Sequence, residues 1–131
     1  AIFLTDSEQE VEQKVMSMYT DPKRIHPTDP GTVEGNPVFI YLNAFCTEGD
    51  KTQVTSYENQ YRKGQVGDIE VKKYLVKVLN HFLDPIRQKR ERLEKEPRLV
   101  ERILKEGTEK TRKAAQKTLA EVKKAMKLDY F

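Results

Sequence analysis

Apolar residues recur along the chain at helical spacing, with no alternation of the kind a strand needs. Val11, Val15, Met18 and Tyr19 share one helical face, and Thr5 with Glu8 offers a capping box ahead of them. Thr20-Asp21-Pro22 predicts the end of that helix, because Pro lacks an N–H and biases Asp21 away from the α region. Residues 20–36 read as a long connector that has to be packed down or functional. Asn36-Pro37 restarts a helix as N-cap and first helical residue. From Val38 to Phe45 the chain is apolar nearly all round, which predicts a buried helix. Val54, Tyr57 and Tyr61 mark a third helix closed by Gly64.

Asp68 is expected to cap the longest element. Its apolar face runs through Val71, Tyr74, Leu75, Val78, Leu79, Phe82, Leu83 and Ile86, with Lys72, Lys73, Lys77, Asn80, His81 and Asp84 opposite. Pro85 predicts a kink near His81. Beyond Ile86 the stripe nearly vanishes, so the helix is expected to leave the core. Pro97 starts a further helix, Gly107 is expected to end it, and Thr111, Ala115, Leu119, Val122 and Met126 trace a last one. The fold class that follows is all-α, a bundle of about five or six helices. The length of 131 residues suits a single domain over 1–131.

Charge adds an asymmetry to this pattern. Residues 1–67 hold six Lys/Arg against ten Asp/Glu, and residues 68–131 hold eighteen against eleven. Residues 86–117 alone carry twelve basic and six acidic side chains. Such a surface attracts a polyanion, and phosphate neutralisation would make the binding steeply salt-dependent. Arg87, Lys89, Arg90, Arg92, Lys110, Arg112, Lys113 and Lys117 are the candidate RNA contacts on charge and expected exposure. Two other readings compete. One is a solvated pair of helices used as a protein-interaction module against an acidic surface. The other is a helix-turn-helix about Gly107, against which stands a Lys- and Ala-rich second helix poor in base-reading side chains.

Composition and spacing point to no catalytic chemistry. Neither GxGxxG, GxxxxGK[ST] nor GxSxG occurs. His26, His81 and Cys46 could meet as metal ligands only through the tertiary fold. One Cys leaves no disulfide framework and suits a reducing, cytoplasmic setting. No apolar run is long enough to span a membrane. The chain opens on Ala1 rather than Met, so it is expected to be a piece of something longer.

Several runs then carry a family resemblance. Lys14-Val-Met-Ser-Met-Tyr-Thr-Asp-Pro22, Asp29-Pro-Gly-Thr-Val-Glu-Gly-Asn-Pro-Val-Phe-Ile-Tyr41, Asn59-Gln-Tyr-Arg-Lys-Gly-Gln-Val-Gly-Asp68, Leu83-Asp-Pro-Ile-Arg87 and Ile103-Leu-Lys-Glu-Gly107 resemble the C-terminal part of bacterial tryptophanyl-tRNA synthetases, in the same order. The opening Ala1 to Ser7 looks like the segment that follows the family's KMSKS loop. The resemblance implies the anticodon-binding helical domain of a class I aminoacyl-tRNA synthetase. Its partners would be tryptophan tRNA and a Rossmann-type catalytic domain of the same chain, in a homodimeric parent that uses ATP and Mg²⁺. Neither the HIGH-type signature nor KMSKS is present, so the resemblance assigns no catalytic residue and no cofactor to this chain. Two finer expectations follow. Asp29 and Glu34 in the connector would couple anticodon contact to the catalytic domain, and Leu128, Tyr130 and Phe131 would dock the tail onto the bundle.

Overall fold

A side chain that carries charge can be buried only if its polar atoms find partners, and three such cationic side chains, Arg24, Lys72 and Arg87, organise the first 88 residues. The computed structural model describes residues 1–128. It contains α1 (Glu8–Met16), α2 (Pro37–Phe45), a 3₁₀ turn (Glu48–Asp50), α3 (Lys51–Arg62), α4 (Asp68–Glu94) and α5 (Pro97–Ala125). There is no strand among the described residues. The all-α expectation holds. Tyr130 and Phe131 of the expected tail contact lie outside the described residues, and Leu128 remains about half exposed.

Internal contacts divide the chain into two units, Ala1–Gln88 and Lys89–Phe131. The hydrophobic core lies wholly in the first. Val11 and Val15 of α1, Phe39 and Leu42 of α2, Val54 and Tyr61 of α3, and Val71, Leu75 and Leu79 of α4 are all buried. Phe39 meets the Tyr61 ring edge-on at 5.0 Å. The second unit has no buried residue on α5.

Local sequence explains most helix ends. Asn36 caps α2, its side-chain oxygen accepting from the Val38 N–H at 3.0 Å. Gly64, at φ +66°, closes α3 in the left-handed conformation. A Cβ there would strike the Thr28 carbonyl, so the connector also presses on this glycine.

Four expectations change. The capping box on α1 is Ser7 with Glu10, not Thr5 with Glu8. Asp6 is the reason: its N–H bonds the Phe3 carbonyl at 3.1 Å and its carboxylate takes Lys14 at 2.6 Å, so the chain is still turning at Thr5. Lys72, placed by periodicity on the solvent face, is buried and donates to the carbonyls of Met16 and Met18 at 2.9 and 2.6 Å. It satisfies the open carbonyl end of α1, which stops at Met16, two residues before Met18. The α2 helix is buried on one face only: Ile40 is 55% exposed, because nine residues present a single side to the core. Finally, Gly107 does not end a helix, since α5 runs through it from Pro97 to Ala125. One glycine costs a helix only about 1 kcal/mol relative to Ala, too little to break a run with good formers on both sides. A helix-turn-helix about Gly107 is thereby removed. Helix α4 runs through Pro85 as one element, as expected.

Gly64→Ala combines a positive φ with a backbone clash, and is expected to lower unfolding stability by about 2 kcal/mol or more in a urea titration. Acid sensitivity has a definite sign. Hydrogen bonds from Lys14 and the Phe3 N–H lower the pKa of Asp6, and those from Lys23 and Thr32 backbone N–H groups lower that of Asp21. A folded pKa below the unfolded value contributes stability above about pH 4 and loses it as pH falls through the folded value. Thermal midpoints by circular dichroism should be flat from about pH 7 to 5 and fall below about pH 4. Asp6→Asn should be less stable near neutrality and less sensitive to acid.

Candidate nucleic-acid interface

The charge asymmetry follows the structural units. Residues 1–88 hold ten Lys/Arg against thirteen Asp/Glu, and residues 89–131 hold fourteen against eight. Of the predicted contacts, Lys89, Arg90 and Arg92 lie on the exposed last turns of α4, and Lys110, Arg112, Lys113 and Lys117 on exposed turns of α5. Arg90 is partly occupied, its Nε lying 2.7 Å from Glu94. The other six form no ion pair or side-chain hydrogen bond with the described residues.

Arg87 stands apart. Its guanidinium donates to the Asp6 carbonyl and to Asn80 Oδ1, both at 2.9 Å, and its Nη1 is buried without a partner. It fastens the N-terminal segment to α4 and is not presented to a phosphate. Sequence could not show this, because the acceptor lies 81 positions away.

On α5 the basic residues form two rows. At 3.6 residues per turn, Lys110, Lys113, Lys117 and Lys124 fall within about 60° of one another. Arg98, Lys105, Arg112 and Lys123 fall in a second row, about 100° away. The expectation of a break at Gly107 hid the second row. Two separate helices have no common phase, so Arg98 and Lys105 could not be aligned with Arg112. One continuous helix aligns them at steps of seven residues, about 10 Å apart.

The connector is held by its own polar network. Arg24 is nearly fully buried, lies 4.1 Å over the Tyr61 ring and 3.2 Å from the Asp68 carboxylate, and donates to the carbonyls of Pro27 and Val66. Tyr61 donates to Asp68 at 2.7 Å and accepts from Asn36 at 3.3 Å. Burial raises the Tyr61 pKa. Asp29 is turned onto the N–H groups of Ile25 and His26, at 3.0 and 2.7 Å, while Glu34 pairs with Arg62 at 2.8 Å. A cleft of about 250 Å³ lined by Tyr19, Asp21, Thr32, Glu34, Gly35 and Asn36 opens beside them. His26, His81 and Cys46 do not converge, and no set of three His, Cys, Asp or Glu side chains gathers for a metal among the described residues.

Comparison with known proteins bears directly on this architecture. The sequence profile of the family "tRNA synthetases class I (W and Y)" matches residues 1–84, more than half of the chain. The chain belongs to this class I tRNA synthetase family. Tryptophan–tRNA ligase of Clostridium longisporum is 47% identical over 131 residues, and that of Treponema pallidum (strain Nichols) 49% over 128. The alignments cover 100% and 98% of this chain but 38% and 37% of those relatives, so the chain spans under two-fifths of their length. The crystal structure of tryptophanyl-tRNA synthetase from Campylobacter jejuni superposes with a TM-score of 0.77 at 25% identity, covering 96% of this chain and 39% of that one. The runs that suggested the family hold Asn36, Tyr61 and Asp68 of the network and Gly64 of the turn that it fastens.

Arg87→Ala should lower stability by about 1–3 kcal/mol in chemical denaturation, since it uncovers the Asp6 carbonyl and Asn80. It should leave the salt dependence of any RNA binding unchanged.

Proposed function

We propose that this chain is the C-terminal, anticodon-region tRNA-binding part of a tryptophan–tRNA ligase. The parent would attach tryptophan to its tRNA with ATP and Mg²⁺ in the cytoplasm, as a homodimer. The observation that carries the reading is the match of the whole chain to relatives bearing that name. In this reading ATP and Mg²⁺ belong to the catalytic part of the parent, and no residue of this chain is assigned to them. The 131 residues alone hold no catalytic role. The protein-interaction reading of the basic helices is not favoured, because it offers no reason for that whole-chain match.

The exposed Lys/Arg of the second unit supply the chemistry that RNA requires. Each contacted phosphate releases counterions, so binding energy scales with contacts and falls with salt. Lys89 and Arg92 on α4, with the two rows of α5, give a cationic surface without a fixed base-reading set. Arg112 adds a planar guanidinium able to stack on a splayed base or grip a phosphate with two N–H groups.

Filter binding of tryptophan tRNA to the 131-residue chain tests this. Contact with about four phosphates predicts a slope of log K against log salt near −3 to −4. Arg112→Gln with Lys113→Gln should reduce that slope by about 2. A preference for tryptophan tRNA over tRNAs with other anticodons is expected. Absence of binding at low salt by the folded chain would sink the reading for the chain alone.

A further inference from the structure

The cations of α5 are placed by the helix itself. At 3.6 residues per turn, Lys110, Lys113, Lys117 and Lys124 form one row, and Arg112 and Lys123 belong to the other, about 100° away. On a helix about 10–12 Å across, that angle sets the rows about 8 Å apart at the surface, before the long side chains spread them further. Gln116 and Ala120 lie between the rows. From Lys110 to Lys124 the only carboxylate is Glu121, at the outer edge of the first row. Val100, Leu104 and Val122 fall on the opposite side of the helix, so any packing of that side leaves the cations in water.

Two rows of cations divided by a neutral strip call for two lines of negative charge. A single strand offers one line. A double-helical stem offers two, one along each side of a groove. A second observation, independent of charge, points the same way: residues 97–125 contain no Phe, Tyr, Trp or His. Single-stranded loops are held largely by stacking their splayed bases on such rings, whereas duplex RNA is recognised through phosphates and 2′-hydroxyls across its shallow minor groove. We propose that α5 binds a double-helical RNA stem, lying across the minor groove with one row on the phosphates of each strand. Gln116, in the strip between, has an amide that both donates to and accepts from a 2′-hydroxyl. The proposal rests on the RNA-binding reading and names the kind of RNA structure that the second unit takes.

Filter binding to an RNA duplex of about 16 base pairs, to one of its strands alone and to the DNA duplex of the same sequence tests it. The 131-residue chain should bind the RNA duplex roughly tenfold more tightly than either of the others at equal salt. Lys113→Gln with Lys117→Gln thins one row, and Arg112→Gln with Lys123→Gln the other. Each pair should reduce the salt slope on the duplex by about 2, and the four together should remove most of it. Gln ranks with Lys and Arg as a helix former, so helicity by circular dichroism should be kept. A single strand or a DNA duplex bound as tightly as the RNA duplex overturns the inference. So does a row whose substitution leaves the slope unchanged. Tryptophan tRNA is titrated beside these probes. Binding of the tRNA with no preference for the duplex defeats this inference alone, whereas no binding of any RNA at low salt defeats the tRNA reading as well.

Discussion

Arg24 is the charge around which the first unit is arranged. A guanidinium that leaves water needs its hydration replaced, and here the replacement comes from four places at once: the Tyr61 ring, the Asp68 carboxylate and the carbonyls of Pro27 and Val66. Those groups belong to the end of α3, the turn that follows it, the start of α4 and the connector. Holding them together sets the path of residues 20–36, which otherwise have no helix to fix them. Gly31 and Gly64 are consequences. The first lies so close to the Tyr61 ring, and the second so close to the Thr28 carbonyl, that no side chain fits. Asn36 joins the same network through Tyr61 and then caps α2, so one hydrogen-bonded chain links the connector to three helices.

Lys72 and Arg87 repeat the logic at other joints. Each is a long cation whose charged end is spent on backbone carbonyls distant in sequence: Met16 and Met18 for Lys72, Asp6 for Arg87. Together they bind α1 and its leading segment to α4. Burial lowers the Lys72 pKa, the expected direction for an ammonium taken out of water. These three cations are unavailable to a polyanion, which leaves the first unit acidic in its outward balance. The second unit is opposite in kind. It has no core on α5, and its long helix persists through local propensity, exposing both a basic and an apolar side.

Much of this was legible from residue order. The all-α class followed from a period that never becomes two, and Asn36-Pro37 and Gly64 marked helix ends by chemistry that acts within a few residues; Asp68, expected as a cap, is instead the first residue of α4, with its carboxylate held by Tyr61 and Arg24. The basic second half, and the exposure of Lys89, Arg92, Lys110, Arg112, Lys113 and Lys117, also followed. The failures are of two physical kinds. Gly107 and the Thr5 cap were misread because local signals compete, and a weak one loses to helix propagation or to an ion pair such as Asp6–Lys14. Lys72 and Arg87 were misread because a cation looks the same whether it meets water or a distant carbonyl.

The sequence by itself determined what short-range stereochemistry controls: helix identity, caps, the sign of charge along the chain, and the runs that resemble the tryptophanyl-tRNA synthetases. Only the tertiary structure decided which cations are structural and which are presented, and only it aligned Arg98, Lys105 and Arg112 on one continuous helix. The reason is range. Capping and periodicity act over three or four residues, whereas the partner that claims Arg87 sits 81 residues away, and no local pattern records it.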